Sequence, residues 1–145
     1  MSALHTLVGQ LPFHRGVLCP QAVAEMLEKH PKVAWVSYPT LSGNKYGALA
    51  GKYLKGQGGA ILTFGVKGGY EAGIKVTNSL RLFSQLANLG DVRSLVIHPA
   101  STTHRQLTDE AREKAGVPND AVRLSVGIES LDDIVLDLNT ALSQV

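Results

Sequence analysis

Helical patterns and short apolar runs alternate along this chain of 145 residues, and the alternation restricts its fold more than any other feature. Apolar residues three and four positions apart predict helices, and short apolar runs ended by Pro or Gly predict strands. The predicted strands are 33–38, 60–66, 93–98 and 121–126, and the predicted helices are about 20–30, 45–54, 70–88, 107–115 and 131–142. An α+β fold follows, with helices packed on a four-stranded sheet whose strand order the pattern leaves open.

Three helical patterns predict which side chains face the core, because residues at this spacing share one side of a helix. The predicted buried faces are Tyr46, Leu49, Ala50 and Tyr53 in the second helix, Val76, Leu80, Phe83 and Ala87 in the third, and Leu131, Ile134, Val135, Leu138, Ala141 and Leu142 in the last. Ser130 and Asp133 have the spacing of a capping box at the start of the last helix.

The composition is that of one folded domain. Hydrophobic residues make up 44% of the chain and charged residues 18%, which is typical of globular proteins and unlike disordered ones. Pro12, His14 and Gly16 interrupt every regular period near the start. We therefore expect an irregular N-terminal arm over 1–19 and a single domain over 20–145.

The same sequence disfavours several classes of function. The longest apolar runs, such as 95–97, are too short for a transmembrane helix, and the start lacks the pattern of a secretory signal. A single cysteine, Cys19, excludes an internal disulfide, and His98 and His104 lack the spacing of metal ligands. The net charge of +2 comes from scattered basic residues. We therefore expect a cytoplasmic protein that binds no membrane, metal or nucleic acid.

A polar loop follows the third predicted strand. Ser101, Thr102 and Thr103 lie between His98 and His104. Loops after strands often carry ligand contacts in proteins that combine helices and strands, and hydroxyl groups there can donate to an anion. The alternative is that Ser101 and Thr102 satisfy backbone groups of a turn or a helix cap.

Arg123 lies in the fourth predicted strand. Val122, Leu124 and Val126 share one face of that strand, so Arg123 points to the other face. There it is either solvated and paired with a surface carboxylate, or covered and bound to a carboxylate or phosphate through its two-pronged guanidinium.

No residue has the pattern of a catalytic group. The glycines of 56–59 lack a following Lys-Ser/Thr and precede a strand, so they form no P-loop. The carboxylates of 132–133 are explained by the dipole of the helix that they begin. The chain contains no Ser/His/Asp signature, and we assign no catalytic residue.

Four segments, in this order, resemble one known family. They read SLVIHPASTTH (94–104), GV (116–117), VRLSVGIE (122–129) and DDI (132–134). Together they resemble the C-terminal domain of the pyridoxal-phosphate-dependent enzymes of cysteine and methionine metabolism. The STTH version of the loop, NKY (44–46) and LANLGD (86–91) are similar to the O-acetylhomoserine sulfhydrylase branch of that family. The resemblance extends from about residue 21 to 142.

This resemblance implies a fold and a reaction. The fold is the C-terminal domain of a fold-type I transferase, with a small, mainly antiparallel sheet of four strands flanked by helices. The reaction joins O-acetyl-L-homoserine and sulfide to homocysteine and releases acetate, with the cofactor as electron sink. The resemblance also implies that Arg123 binds the α-carboxylate of the substrate, with Ser101 and Thr102 beside it. These three are the expected substrate-binding residues.

The resemblance covers the C-terminal domain of the family and does not include its cofactor-binding domain. The domain that carries the Schiff-base lysine precedes this region in the family, and Lys45, in the loop before a helix, does not replace that lysine. Gly65 stands where the family usually has an acidic residue. We therefore expect a chain that binds no pyridoxal phosphate alone and pairs with an N-terminal cofactor domain or a full-length homologue.

An alternative reading is a non-catalytic module. Such a module would bind small carboxylates or amino acids, or regulate a full-length homologue by associating with it. The surface that meets the cofactor domain in the family would then be exposed and apolar, so we also expect homo-oligomers.

Overall fold

The computed structural model of the chain describes residues 19–88 and 90–145. Its strands are β1 (Val33–Ser37), β2 (Ile61–Val66), β3 (Ser84–Gln85), β4 (Leu95–Ile97) and β5 (Ala121–Ser125). Its helices are α1 (19–28), α2 (Gly47–Tyr53), α3 (Gly69–Ser79), α4 (Asp109–Lys114) and α5 (Leu131–Leu142), with a 3-10 turn at Pro99–Ser101. The expected N-terminal arm lies outside the described residues except for Cys19, which is helical.

The strands form one sheet in the order β1-β2-β5-β4-β3. β5 is central and runs antiparallel to both β2 and β4, and β1 is antiparallel to β2. Among the described strands, only β3 and β4, at one edge of the sheet, pair in parallel. The α+β fold and its mainly antiparallel sheet are confirmed, but the predicted count of four strands is wrong because β3 adds a fifth.

The helices α1, α3 and α5 contribute to a core on one face of the sheet. That core contains Val122, Leu124 and Val126, so the predicted inward face of the fourth strand is confirmed. The predicted stripe of α5 is also confirmed at its centre, where Ile134 and Leu138 have no exposed surface. No helix among the described residues is long and apolar enough to cross a membrane.

The predicted helix over 70–88 is wrong in its second half, because α3 ends at Ser79 and Leu80 is extended, with φ −68° and ψ 139°. The carboxylate of Asp137, on α5, accepts hydrogen bonds from the backbone N–H groups of Arg81 at 3.0 Å and Leu82 at 2.9 Å. A residue 55 positions further along the chain thus satisfies donors at the turn that leads to β3. Ala87, predicted as buried, is exposed.

The predicted buried face of α2 is also wrong. Ala50 is 3% exposed, but Tyr46, Leu49 and Tyr53 are 53%, 49% and 68% exposed. The helical period correctly placed these residues on one side of a short helix. About half or more of each of these three side chains is exposed, so the apolar side of α2 faces outward.

The capping box predicted for α5 does not form. Ser130 occupies the N-cap position, but its side chain makes no capping hydrogen bond. α4, in contrast, is capped by Thr108, whose hydroxyl oxygen accepts from the N–H of Ala111 at 3.3 Å. Asp132 and Asp133 still lie in the first turn of α5, where their charge favours the helix dipole.

Candidate functional site

Arg123 lies in the middle of the sheet on the face opposite the core. It is paired with Thr63 of β2 on one side and with Ile97 of β4 on the other, and its side chain is half-buried. The guanidinium has no hydrogen-bond or ion-pair partner among residues 19–88 and 90–145. Arg112 differs, since its guanidinium is bonded to Asp109, Asn119 and a backbone carbonyl. A half-buried cation without a partner is suited to receive an anion.

A cavity of about 170 Å³ opens beside Arg123. Its walls include Thr63 from the sheet, Thr103 and His104 from the loop after β4, and Val117 from the turn after α4. The cavity therefore brings a cation, two hydroxyl groups and an imidazole together on the open face of the sheet. A small carboxylate fits this combination of charge and donors.

Ser101 and Thr102 line a second cavity of about 290 Å³. α3 contributes Thr77 and Asn78 to its walls, and Gln85 lies on the β3 side. The structure thus does not bring all three expected substrate-binding residues into one cavity. The two cavities adjoin, however, because Ile97 and Thr103 line both of them.

The hydroxyl groups of the loop bond within their own turn. Thr102 donates through its hydroxyl to the carbonyl of His98 at 2.8 Å, and the Ser101 hydroxyl lies 2.9 Å from Nδ1 of His98. The N–H groups of Ser101 and Thr102 donate to the carbonyls of His98 and Pro99, both at 3.2 Å. These contacts agree with the alternative that Ser101 and Thr102 satisfy backbone groups of a turn. Both residues nevertheless line the cavity.

His98 is the residue around which this loop is built, a role that the sequence analysis did not assign to it. Its side chain is 1% exposed, and Nε2 lies 2.9 Å from the carbonyl oxygen of Asn119. The ring of Tyr70 meets the imidazole edge-on with 5.1 Å between centroids. A Cβ at Gly73 would lie 2.7 Å from the imidazole, so α3 can come this close to His98 only because residue 73 is glycine. The sequence feature that could have identified His98 is its position at the end of a buried strand.

Burial lowers the pKa of His98, and the charge of Arg112 acts in the same direction. The hydrogen bond to Asn119 and the carboxylates of Asp120 and Glu71 oppose this shift. The ring is therefore neutral near pH 7, since its ordinary pKa is already close to 6.5.

Glu129 joins the ends of β4 and β5, a role that sequence reasoning also missed. Its carboxylate accepts from the N–H of Ser94 at 2.7 Å and from the Ser94 hydroxyl at 2.8 Å. The Ser94 hydroxyl oxygen accepts in turn from the N–H of Gly127 at 2.9 Å. This link keeps the two strands that carry Arg123 and the loop in register.

The described residues do not fit a site for pyridoxal phosphate or a metal ion. All eight lysines in this part of the chain are exposed, and none lines a cavity described above. A Schiff-base lysine needs an enclosed site that also holds the cofactor. No group of three or more potential metal ligands occurs among the described residues.

The sequence matches a family model over residues 5–143, that of the pyridoxal-phosphate-dependent enzymes of Cys/Met metabolism. A homocysteine synthase of Schizosaccharomyces pombe is 53% identical over 142 residues, which are 98% of this chain and 33% of that protein. An O-acetyl-L-homoserine sulfhydrylase of Leptospira meyeri is 55% identical over 124 residues, which are 85% of this chain and 28% of that protein.

Solved structures agree in fold. A candidate O-acetylhomoserine (thiol)-lyase of Campylobacter jejuni, which carries a pyridoxyl-lysine group, superposes with a TM-score of 0.84 at 40% identity. The match covers 92% of this chain and 32% of that one. The cystathionine gamma synthase of Xanthomonas oryzae pv. oryzae gives 0.80 at 38% identity, over 90% and 34% of the two chains.

The chain therefore spans about a third of the length of the relatives that it matches. The matched region contains Arg123, the loop after β4 and the strands that position them. The chain belongs to the family of pyridoxal-phosphate-dependent enzymes of cysteine and methionine metabolism.

Proposed function

We propose that this chain is the C-terminal, substrate-carboxylate-binding part of an enzyme similar to O-acetyl-L-homoserine sulfhydrylase. Such an enzyme joins O-acetyl-L-homoserine and sulfide to homocysteine and releases acetate. The names of the relatives support the reaction. The single observation that carries the role of the domain is the Arg123 guanidinium, which has no partner among the described residues and lines a cavity.

Arg123 binds the α-carboxylate through two parallel hydrogen bonds in this proposal. The guanidinium fork matches the two carboxylate oxygens, and its half-buried position on the sheet strengthens the attraction relative to bulk water. A carboxylate held at two points keeps a fixed plane and position, which helps to orient the Cα–H bond of the substrate for proton removal. Ser101 and Thr102 line the adjoining cavity, which shares Ile97 and Thr103 with the cavity of Arg123, and in this proposal they lie beside the bound carboxylate.

The cofactor belongs to another part of the assembled enzyme in this proposal. Pyridoxal phosphate supplies the electron sink there, held by an N-terminal cofactor domain or by a full-length homologue that pairs with this chain. The described lysines are all exposed, and we infer that the chain alone is inactive. Its contribution is to bind and orient the carboxylate.

The test is the affinity for a simple carboxylate. Propionate, titrated into the labelled chain and followed by amide NMR shifts, should bind near Arg123. Arg123→Ala should weaken binding about 10- to 100-fold, because hydrogen bonds to charged groups contribute about 1.5–3 kcal/mol. Arg123→Lys should restore part of the affinity, since it keeps the charge but loses the fork.

Arg81→Ala is the matched control, because Arg81 is exposed and lies outside both cavities. It should leave the affinity for propionate unchanged. An Arg123→Ala variant that binds propionate as tightly as the wild type would contradict the proposed function.

A second candidate is a non-catalytic module that associates with copies of itself or with a full-length homologue. The observation that favours it is the apolar side of α2, where Tyr46, Leu49, Tyr53 and Leu54 are 53%, 49%, 68% and 50% exposed. Contiguous exposed apolar surface of this kind marks interaction sites in soluble proteins.

Sedimentation velocity over a concentration series tests this candidate. The wild type should self-associate, and the double variant Leu49→Ser, Tyr53→Ser should raise the dissociation constant at least about tenfold because it removes apolar contact area. Leu136→Ser is the control, since Leu136 is 67% exposed on α5 and lies away from α2. A wild-type chain that stays monomeric at every concentration would rule out self-association.

A further inference from the structure

The hydroxyl of Ser101 has one proton, and among the described residues both acceptors within its reach belong to His98. Ring atom Nδ1 lies 2.9 Å from the Ser101 oxygen, and the His98 carbonyl lies 3.3 Å away. Thr102 likewise donates its hydroxyl proton to the His98 carbonyl, at 2.8 Å. A carboxylate can only accept hydrogen bonds, so neither hydroxyl is ready to bind one in this arrangement.

The position of the imidazole proton follows from its other partner. Nε2 lies 2.9 Å from the carbonyl oxygen of Asn119, which can only accept, so Nε2 carries the proton. In a neutral ring Nδ1 is then an acceptor, and Ser101 must be the donor of the bond between them.

The surroundings hold the ring in this orientation. Asn119 is fixed because Nε of the buried Arg112 donates to its side-chain oxygen at 3.1 Å. On the α3 side the ring packs against Gly73, where a Cβ would lie 2.7 Å from it.

We propose that His98 is a positioning residue that turns the Ser101 hydroxyl proton away from the cavity, so that a carboxylate can bind to this hydroxyl only when His98 takes up a proton. The inference rests on the proposed carboxylate-binding function. The proton comes from solvent and adds to Nδ1, which then donates to the Ser101 oxygen, and the Ser101 hydroxyl proton turns to the carboxylate. Without this uptake, the buried Nδ1 would lose the one donor that it has in the described part of the chain, which is unfavourable.

The charges around the ring set the direction of the pH dependence. Glu71 and Tyr70 face His98 from α3, Arg112 from α4, and Asp120 from the turn before β5. Without ligand, burial keeps the ring neutral at pH 7. When the Ser101 hydroxyl donates to a bound carboxylate, Nδ1 loses that donor and is satisfied only as an N–H that donates to the Ser101 oxygen, so binding raises the pKa of His98. Binding that takes up one proton strengthens as pH falls, by at most about tenfold per pH unit.

The experiment is ring ¹⁵N NMR of the histidines in the full chain, recorded against pH with and without propionate. The spectrum distinguishes the two neutral tautomers and the imidazolium directly. Free His98 should carry its proton on Nε2, and propionate should raise its titration midpoint. Ser101→Ala should abolish that rise while Arg123 still holds the ligand. His30 is the internal control, because it lies outside both cavities and its midpoint should not move.

Each outcome has a distinct meaning. A neutral Nδ1–H tautomer in the free chain overturns the inference, whatever propionate does. A midpoint that rises equally in wild type and Ser101→Ala also overturns it, because a nearby anion would then act on His98 without the hydroxyl. The proposed function is contradicted instead if Arg123→Ala binds propionate as tightly as the wild type, or if the wild type does not bind it. In either case the tautomer of free His98 still shows which ring nitrogen carries the proton.

Discussion

Gly65 occupies the centre of a small cluster on the edge side of the sheet. The indole N–H of Trp35 donates to the carboxylate of Asp120 at 2.9 Å directly over this glycine. A Cβ at Gly65 would lie 2.1 Å from the Trp35 ring nitrogen and 2.4 Å from an Asp120 oxygen. The family resemblance implied an acidic residue here. The position of the indole explains the glycine, because no side chain fits beneath it.

Gly65→Ala should destabilise the chain by about 1–3 kcal/mol, the usual range for overpacking, because the methyl group displaces the indole. Urea unfolding followed by the fluorescence of Trp35, the single tryptophan, measures both the stability and the indole environment. Gly51→Ala is the control, since its Cβ would meet nothing within 4 Å in α2 and should stabilise the chain by up to about 1 kcal/mol. Equal stability of Gly65→Ala and wild type would refute this account.

At the scale of elements, the end of α3 depends on α5. The pattern Val76, Leu80 and Phe83 continues the helical period, and all three are buried at 0%, 7% and 4% exposure. The period therefore predicts burial correctly but not the helix, because Leu80 and Phe83 are buried although they follow the end of α3 at Ser79. The carboxylate of Asp137 accepts hydrogen bonds from the N–H groups of Arg81 and Leu82, and these bonds favour the extended segment over a longer helix.

Asp137→Ala should cost about 0.5–2 kcal/mol, the range for losing a capping side chain, because two backbone donors lose their acceptor. Hydrogen exchange should accelerate at the N–H groups of Arg81 and Leu82. Asp137→Asn keeps one acceptor oxygen and should fall between wild type and Asp137→Ala. Asp133→Ala, on the same helix, should not change exchange at these two positions, and exchange that is equally slow in Asp137→Ala would contradict the assigned contact.

At the scale of the whole molecule, the sheet has two different faces. Helices and the core cover one face, and the other keeps Thr63, Arg123 and Ser125 only half-buried. Tyr38 connects the turn after α2 to the core of the domain. It is 0% exposed, and its hydroxyl donates to the carbonyl of Gly59 at 2.8 Å.

Global stability should fall at alkaline pH through Tyr38. Burial raises the pKa of Tyr38 from 10.0 to about 12, with an opposing hydrogen bond to Thr40. The unfolded chain ionises first, so the stabilising contribution is complete below pH 10 and is lost as pH rises toward 12. Tyr38→Phe should show a smaller loss of unfolding free energy over this window. Parallel pH curves for the two proteins would contradict the assignment.

Local patterns in the sequence were sufficient for much of the fold. The alternation of helices and strands follows from periodicity within segments, and the same periodicity placed Leu124 toward the core and Arg123 on the other face. The family resemblance selected Arg123, Ser101 and Thr102 as candidates for substrate binding. Their role in binding stays a prediction, because the structure shows where they lie and not what they hold.

Contacts between distant segments decided the rest. Asp137 ends α3 from 55 residues away, and Asn119 orients His98 from 21 residues away. The outward apolar side of α2 depends on which layer packs against it, which a helical period does not specify. Periodicity reports only how a segment divides its residues between two sides. The packing of the segments determines the rest: which side of each segment is covered, which donor meets which acceptor, and which residues line one cavity.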